Sequence, residues 1–167
     1  METQGSSELL TQVLDKGLCT GCGACLEICP YFKSYLGKVT RIFECNLQKG
    51  RCYAHCPKTP TDQNQLSEFI HGENSPSGEL GTYKEIHASK AGQNAVNGSF
   101  QNGGSVSALM EFAIKSGFIN NAVLTGSNGL LPDPKLVSRV EEIIACSQTK
   151  YAASPVVSVL NKAVAEG

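Results

Sequence analysis

The chain has 167 residues, enough for one medium domain or two small ones, and either could bury a hydrophobic core. Its formal net charge of −1 argues against binding to nucleic acid or to an anionic membrane. No apolar run approaches the ~20 residues of a membrane span. The segment Met1–Gln4 lacks the basic start and apolar stretch of a secretory signal, so we expect a cytoplasmic location.

The first segment, residues 1–16, has apolar residues at the spacing of a short helix. Ser7 can cap its start and Gly17 can end it. Cysteine-rich sequence with little periodicity follows to about Pro60. Loops that bind a metal need little hydrophobic core, because ligation itself contributes folding free energy. We therefore expect residues 1–60 to form a small metal-binding domain.

Seven of the eight cysteines lie between Cys19 and Cys56. In a reducing compartment such a group indicates metal binding rather than disulfides. The first four, Cys19-x2-Cys22-x2-Cys25-x3-Cys29-Pro30, have the spacing of bacterial ferredoxins, in which three thiolates bind one 4Fe–4S cluster and the fourth ligates another. A zinc site is disfavoured, because zinc prefers two separated pairs of ligands.

The remaining cysteines of this region form a second, incomplete copy of the motif. Cys52-x3-Cys56-Pro57 repeats its end, but Cys45 is separated from Cys52 by six residues, none of them cysteine. By the crossover rule Cys56 completes the first cluster, which leaves Cys29, Cys45 and Cys52 for a second one, either 3Fe–4S or 4Fe–4S with a non-cysteine ligand. A single cluster on the first motif is the conservative alternative. We favour two clusters, since the second Cys-Pro pair, Cys56-Pro57, has no other evident purpose.

The composition and periodicity of the sequence then change twice. Residues 61–81 have the Pro, Gly, Ser, Asn and Gln content of a linker, in which Leu66, Phe69 and Ile70 predict one docked helical turn. Residues 82–167 have an α/β pattern. The predicted elements are strands over Thr82–Ser89 and Ala122–Gly126, a helix after the glycine turn Gln101–Ser105, a helix from Asp133-Pro134 to about Cys146, and a helix opening at Ser154-Pro155.

The glycine turn leads straight into a helix, and such a turn can offer N–H groups to a phosphate. Alone this is a weak indication, because most Gly-Gly turns bind nothing. Lys150 and Tyr151 add a cation and a flat ring, and Ser154-Pro155 opens a further helix. We therefore treat these segments together as a candidate cofactor site.

The order of these motifs resembles that of a known family, the deazaflavin (factor 420) hydrogenase/dehydrogenase beta subunits, whose members often carry a ferredoxin-like domain in front. The resemblance rests on Leu80-Gly81-Thr82-Tyr83-Lys84-Glu85-Ile86, Gln101–Gly104, Ala122–Leu124 and Thr149–Pro155. It implies an α+β protein: a small two-cluster ferredoxin-like domain, then a truncated α/β flavin-binding domain. The family's flavin domain normally continues further, so we expect either a truncated form or a pocket completed by another polypeptide.

The resemblance also implies a cofactor and partners. FAD is expected against Gly103, Gly104, Ser105, Ser107, Lys150, Tyr151, Ser154 and Pro155. Ser107 stands where the family often has Thr, and Gln148 where it usually has Gly. The implied function is electron exchange between a hydride carrier, deazaflavin or similar, and a hydrogenase, formate dehydrogenase or disulfide reductase partner. The alternatives are a flavin-free ferredoxin-type relay that docks to a larger complex and a zinc-stapled interaction protein.

Overall fold

A computed structural model describes residues 4–72, 79–83, 85–93 and 102–167. It has the short helices and small separate sheets of an α+β protein. The chain divides into two units, one made of Met1–Thr59 with Lys90–Gly167 and the other of Pro60–Ser89. No helix within the described ranges is both long and apolar enough to cross a membrane.

The first unit begins with a helix that changes type midway. Helix α1 (Ser6–Leu9) continues as a π-helical turn (Leu10–Leu14), in which the Asp15 N–H donates to the Leu10 carbonyl, five residues back, at 2.9 Å. Its start is fixed by the Glu8 carboxylate, which accepts the Gly5 N–H at 2.7 Å, not by a cap on Ser7. Gly17 follows the helix in the left-handed conformation, as predicted. Residues 1–3 of the predicted helix lie outside the described ones.

A hairpin that no sequence pattern predicted lies between the two cysteine groups. Strand β1 (Phe32–Tyr35) pairs antiparallel with β2 (Lys38–Arg41) through the turn Leu36-Gly37. Both turn residues have positive φ, 47° and 74°, which is the type I′ geometry that matches strand twist. Phe32 and Val39 point into the core, and a short helix α2 (Arg51–Ala54) follows. The core of this region consists of Leu9, Val13, Cys25, Leu26, Phe32, Val39, Cys52 and Tyr53.

The second unit contains helix α3 (Gln63–His71), which is longer than the predicted turn. Asp62 caps it, with its carboxylate accepting the N–H groups of Asn64 and Gln65 at 3.0 Å each. The docked turn was a wrong prediction, because Leu66, Phe69 and Ile70 are all exposed. The strand predicted over 82–89 is also absent from the described part of that range, which excludes Lys84; its apolar alternation was imperfect.

The rest of the first unit contains a helix, a hairpin and two more helices. They are α4 (Ser105–Lys115), β3 (Ala122–Asn128), β4 (Leu131–Val137), α5 (Val140–Ala145) and α6 (Val156–Glu166). The predictions of α4, β3 and α6 are confirmed. The helix predicted from Asp133-Pro134 was placed too early, because both residues lie in β4. Proline suits a helix start, but also the edge strand that β4 forms beside β3.

Helix α5 begins at Val140, where one carboxylate closes its first turn. Glu142 accepts the N–H groups of Ser138 at 3.0 Å and Arg139 at 3.1 Å, and the Arg139 guanidinium at 3.0 Å. These donors, the Ser138 N–H first, lower the pKa of Glu142 from 4.5 to about 2. Because the pKa is lowered on folding, this contribution to stability is present above the ordinary pKa and is lost as the pH falls toward the lowered one.

We expect Glu142→Gln to lower the thermal unfolding midpoint at neutral pH. The difference from the wild-type protein should shrink between about pH 5 and pH 2, because Glu142 of the unfolded chain takes up a proton near its ordinary pKa and Glu142 of the folded protein does so only near pH 2. Glu141→Gln is the matched control, since it removes the same charge from the neighbouring, exposed position. Equal midpoints for the two variants at neutral pH would contradict the prediction.

Candidate iron–sulfur site

Four cysteines from two separate segments face one cavity. Cys19, Cys22 and Cys25 come from the loop between the first helix and β1, and Cys56 comes just after α2. The cavity has about 340 Å³ of empty space, open solvent included, and its other walls include Leu9 and Val39 of the core. A set of four thiols around an apolar-walled space matches the ligands of a 4Fe–4S cluster.

Burial and mutual proximity raise the pKa of two thiols in this group, those of Cys25 and Cys56. The pKa of Cys25 is raised to about 12, mainly because Cys25 is buried and further because Cys56, Cys19 and Cys22 lie nearby. Burial also raises the pKa of Cys56, with smaller contributions from Cys22 and Cys19. Without metal the thiols of Cys25 and Cys56 hold their protons, so binding iron has to release them.

The loop that carries the first three thiols is shaped by two glycines. Gly21 and Gly23 have φ of 71° and 82°, in the left-handed region that other residues avoid. The Gly21 N–H donates to Cys19 Sγ at 3.4 Å, and the Leu26 N–H donates to the Gly23 carbonyl at 2.9 Å. The loop therefore directs a backbone donor at the sulfur of Cys19, and N–H groups directed at ligand sulfurs are the type of interaction that tunes iron–sulfur clusters.

The segment between Cys19 and Cys56 has three further cysteines, which form a second group: Cys29, Cys45 and Cys52. The pKa of Cys52 is raised by its burial and by the neighbouring Cys29 and Cys45. In the second copy of the motif Lys49 stands where the first copy has its middle cysteine, and this lysine is exposed. The Nδ1 atom of His55, the residue before Cys56, lies 2.8 Å from the Arg51 carbonyl oxygen. Among the described residues, no three His, Cys, Asp or Glu side chains are arranged to hold a single metal ion.

Helix α6 contacts the loop of the first group directly. The Val157 N–H donates to the Cys22 carbonyl at 2.9 Å. The Asn161 side-chain amide donates to the carbonyls of Ala24 and Leu26 at 3.1 and 2.9 Å. Gly23 lies so close to Pro155 that an added Cβ would be 2.9 Å from the Pro155 Cβ. The segment expected to bind flavin is thus in contact with the loop of the first cysteine group.

Two further side chains support this site, and no sequence motif identified either of them. Lys38 of β2 donates its Nζ to the Cys19 carbonyl at 2.7 Å. The Thr59 hydroxyl donates to the Cys56 carbonyl at 2.8 Å. Asn161 was likewise not predicted. Its only sequence signal was an amide side chain in the middle of the amphipathic helix that became α6.

The candidate flavin residues lie in two places. Gly103, Gly104, Ser105 and Ser107 lie at the start of α4, which packs against α5. Gly104 caps α4 with φ of 71°, so the predicted turn has the left-handed backbone that requires glycine. Gln101, the first residue of that turn, lies outside the described residues.

The second place is the segment between α5 and α6. Lys150 donates its Nζ to the Ser147 carbonyl at 2.8 Å, and Tyr151 is 84% exposed. Ser154 accepts a hydrogen bond from the Thr125 hydroxyl of β3 at 3.3 Å, and Pro155 caps α6. Gln148 has φ of 73°, so the backbone is left-handed at the position where the family that this chain resembles usually has Gly. An exposed ring and a partly exposed cation are groups that can contact a flavin.

Comparison with family models matches both halves of the chain. Residues 86–161 match the model described as coenzyme F420 hydrogenase/dehydrogenase, beta subunit N-term. Residues 13–31 match the 4Fe-4S binding domain.

Three curated proteins illustrate the similarity. The coenzyme F420-dependent sulfite reductase of Methanocaldococcus jannaschii is 24% identical over 87% of this chain and 21% of its own length. The coenzyme F420 hydrogenase subunit beta of Methanothermobacter thermautotrophicus is 37% identical over 51% of this chain and 31% of its own. A subunit of the F(420)H(2) dehydrogenase of Methanosarcina mazei is 28% identical over 92% of this chain and 44% of its own length. The chain spans less than half the length of each relative.

Proposed function

We propose that the chain is an electron-transfer part of a larger oxidoreductase, because residues 86–161 match the model of coenzyme F420 hydrogenase/dehydrogenase beta subunits and residues 13–31 match the 4Fe-4S binding domain. It exchanges electrons between a hydride carrier of the deazaflavin type and a partner of the hydrogenase, dehydrogenase or reductase class. The observation that carries this proposal is the set of four thiols, Cys19, Cys22, Cys25 and Cys56, around one cavity. The names of the three relatives support the class of reaction.

In this function the parts of the chain have different roles. Residues 1–60 hold the iron–sulfur clusters, residues 61–81 are a linker, and residues 82–167 are the flavin-binding part. When bound, a flavin exchanges a hydride, two electrons at once, whereas an iron–sulfur cluster exchanges single electrons. The four thiols of the cavity would hold a 4Fe–4S cluster, and Cys29, Cys45 and Cys52 would hold a second, 3Fe–4S or 4Fe–4S.

The chain's own residues connect these two parts. FAD is proposed against Gly103, Gly104, Ser105, Ser107, Lys150, Tyr151, Ser154 and Pro155. Pro155 packs on Gly23, and the next-but-one residue, Val157, donates to the Cys22 carbonyl. A flavin in contact with the Ser154-Pro155 segment would therefore lie close to the loop of the first cysteine group. This proximity favours the first cluster, rather than the second, as the partner of the flavin.

We expect Lys150→Ala to weaken FAD binding about tenfold or more, because a hydrogen bond to a charged group contributes ~1.5–3 kcal/mol. Iron content should not change, since Lys150 contacts carbonyls of its own loop and lies outside the cysteine groups. FAD released per chain, measured after anaerobic purification, checks this. Lys162→Ala on the exposed side of α6 is the control, and equal FAD occupancy in both variants would contradict the assignment.

The second candidate is a ferredoxin-type relay that binds no flavin and docks to a larger complex. The observation that favours this candidate is that the Lys150 amine already donates to the Ser147 carbonyl, so part of the hydrogen-bonding capacity of Lys150 is used within the protein. A preparation with iron and sulfide but no FAD, even after incubation with added FAD, would support the relay over the flavoprotein.

The experiment that tests the proposed function is anaerobic purification with iron, acid-labile sulfide and FAD each quantified per chain. About four iron and four sulfide atoms for each 4Fe–4S cluster are expected. A colourless protein without iron, prepared strictly without oxygen, would overturn the proposal. Zinc in place of iron would support the interaction protein instead.

A further inference from the structure

Asn161 of α6 holds the backbone on both sides of a predicted ligand. Its side-chain Nδ2 donates to the Ala24 carbonyl at 3.1 Å and to the Leu26 carbonyl at 2.9 Å. Between these residues lies Cys25, which is buried. Since both neighbours are carbonyl acceptors, the amide must present its NH₂ group to them, and both of its hydrogens are used.

Asparagine is an unfavourable residue in the interior of a helix, where Ala or Leu is more stabilising. Asn161 nevertheless lies in the middle of α6, which runs from Val156 to Glu166. One turn earlier, Val157 uses a backbone N–H that has no partner within α6 to bind the Cys22 carbonyl. The same face of the helix therefore makes three hydrogen bonds to residues 22–26, and these explain why Asn is present.

We propose that Asn161 is a positioning residue for the first cluster, which fixes the turn around Cys25 and thereby sets the cluster's reduction potential. This inference rests on the proposed function, in which that loop holds a cluster. Ligand orientation and backbone N–H groups directed at sulfur both tune the potential of iron–sulfur clusters. N–H donors held near the sulfurs stabilise the reduced cluster, which carries one more negative charge than the oxidised one. A looser turn weakens these donors, so it shifts the reduction potential of the cluster to a more negative value.

The test compares two substitutions at Asn161 with one at its neighbour, all in the full chain purified anaerobically. Asn161→Leu replaces the amide with a similar volume and no donor. Asn161→Ala also removes the donor, but raises helix propensity, so α6 is retained. Lys162→Ala is the control, because Lys162 is exposed and pairs with Glu166 at 3.9 Å. The measurements are amide hydrogen exchange of residues 23–26 and a redox titration followed by electron paramagnetic resonance.

In both Asn161 variants we expect exchange of residues 23–26 to be about tenfold faster or more, since two hydrogen bonds are lost. The midpoint potential of one cluster should become more negative while the other is unchanged, and Lys162→Ala should match the wild-type protein. Wild-type exchange and potential in both Asn161 variants would overturn the inference. Failure of the proposed function is distinct, because it would show as a wild-type protein without iron.

Discussion

Replacing Cys22 by Ala is expected to lower the iron content by about four atoms per chain, the content of one 4Fe–4S cluster. Cys22 lines the same cavity as Cys19, Cys25 and Cys56, and a methyl group cannot replace a thiolate ligand. The variant should also unfold more readily, because metal ligation contributes folding free energy that the small core does not replace. Iron and acid-labile sulfide per chain, measured after anaerobic purification, check the expectation.

Two further cysteine variants serve as controls. Cys146→Ala removes a half-buried thiol at the end of α5, outside both cysteine groups, and should leave the iron content unchanged. Cys52→Ala should remove only the second cluster, because Cys52 lies with Cys29 and Cys45. Wild-type iron in Cys22→Ala would mean that this thiol is not a ligand. Equal spectra for Cys22→Ala and Cys52→Ala would mean that the two groups do not hold separate clusters.

The grouping of the seven cysteines in space follows from their spacing in the sequence. Three thiols separated by two residues each must stay in one tight loop, whereas a fourth followed by Pro30 leaves it. The proximity of Cys25 to Cys56, and of Cys52 to Cys29, agrees with the crossover of bacterial ferredoxins. Their role as ligands stays a prediction until iron is measured.

Elements with clear local signals were predicted, and elements with ambiguous ones were not. Helix α6 has an apolar stripe and a Ser-Pro start. Strand β4 was mistaken for a helix because Asp133-Pro134 is equally compatible with an edge strand. The hairpin of β1 and β2 was missed since its turn, Leu36-Gly37, places a leucine at positive φ, where Asn or Gly is usual.

The contacts that join α6 to the cysteine loop could not have been predicted from the sequence. Asn161 and Ala24 are 137 residues apart, and no periodicity or motif relates positions so distant. Similarly, the Lys38 amine reaches the Cys19 carbonyl only because the hairpin brings β2 back to the loop. Such pairs depend on tertiary packing, which no local pattern in a single sequence indicates.

Gly21→Ala is expected to destabilise the protein strongly and to reduce its iron content. The backbone at Gly21 has φ of 71°, where a residue with a Cβ is strained by about 1–2 kcal/mol. The added Cβ would also overlap the Gly37 carbonyl oxygen, a backbone atom that cannot rotate away. Overpacking of this kind costs a further ~1–3 kcal/mol. The shifted loop would misplace Cys19 and Cys22 together, so chemical unfolding and iron per chain should both change.

Gly17→Ala separates the two causes, because Gly17 has nearly the same backbone, φ of 69°, but open space where its Cβ would go. It should show the backbone strain alone and keep its iron, since the loop around the cysteines is undisturbed. If Gly21→Ala were no less stable than Gly17→Ala and kept wild-type iron, the close approach of the Gly21 loop to the hairpin turn would be wrong. Because the two variants share the backbone strain, the difference between their free energies of unfolding measures how tightly the hairpin turn closes on the cysteine loop.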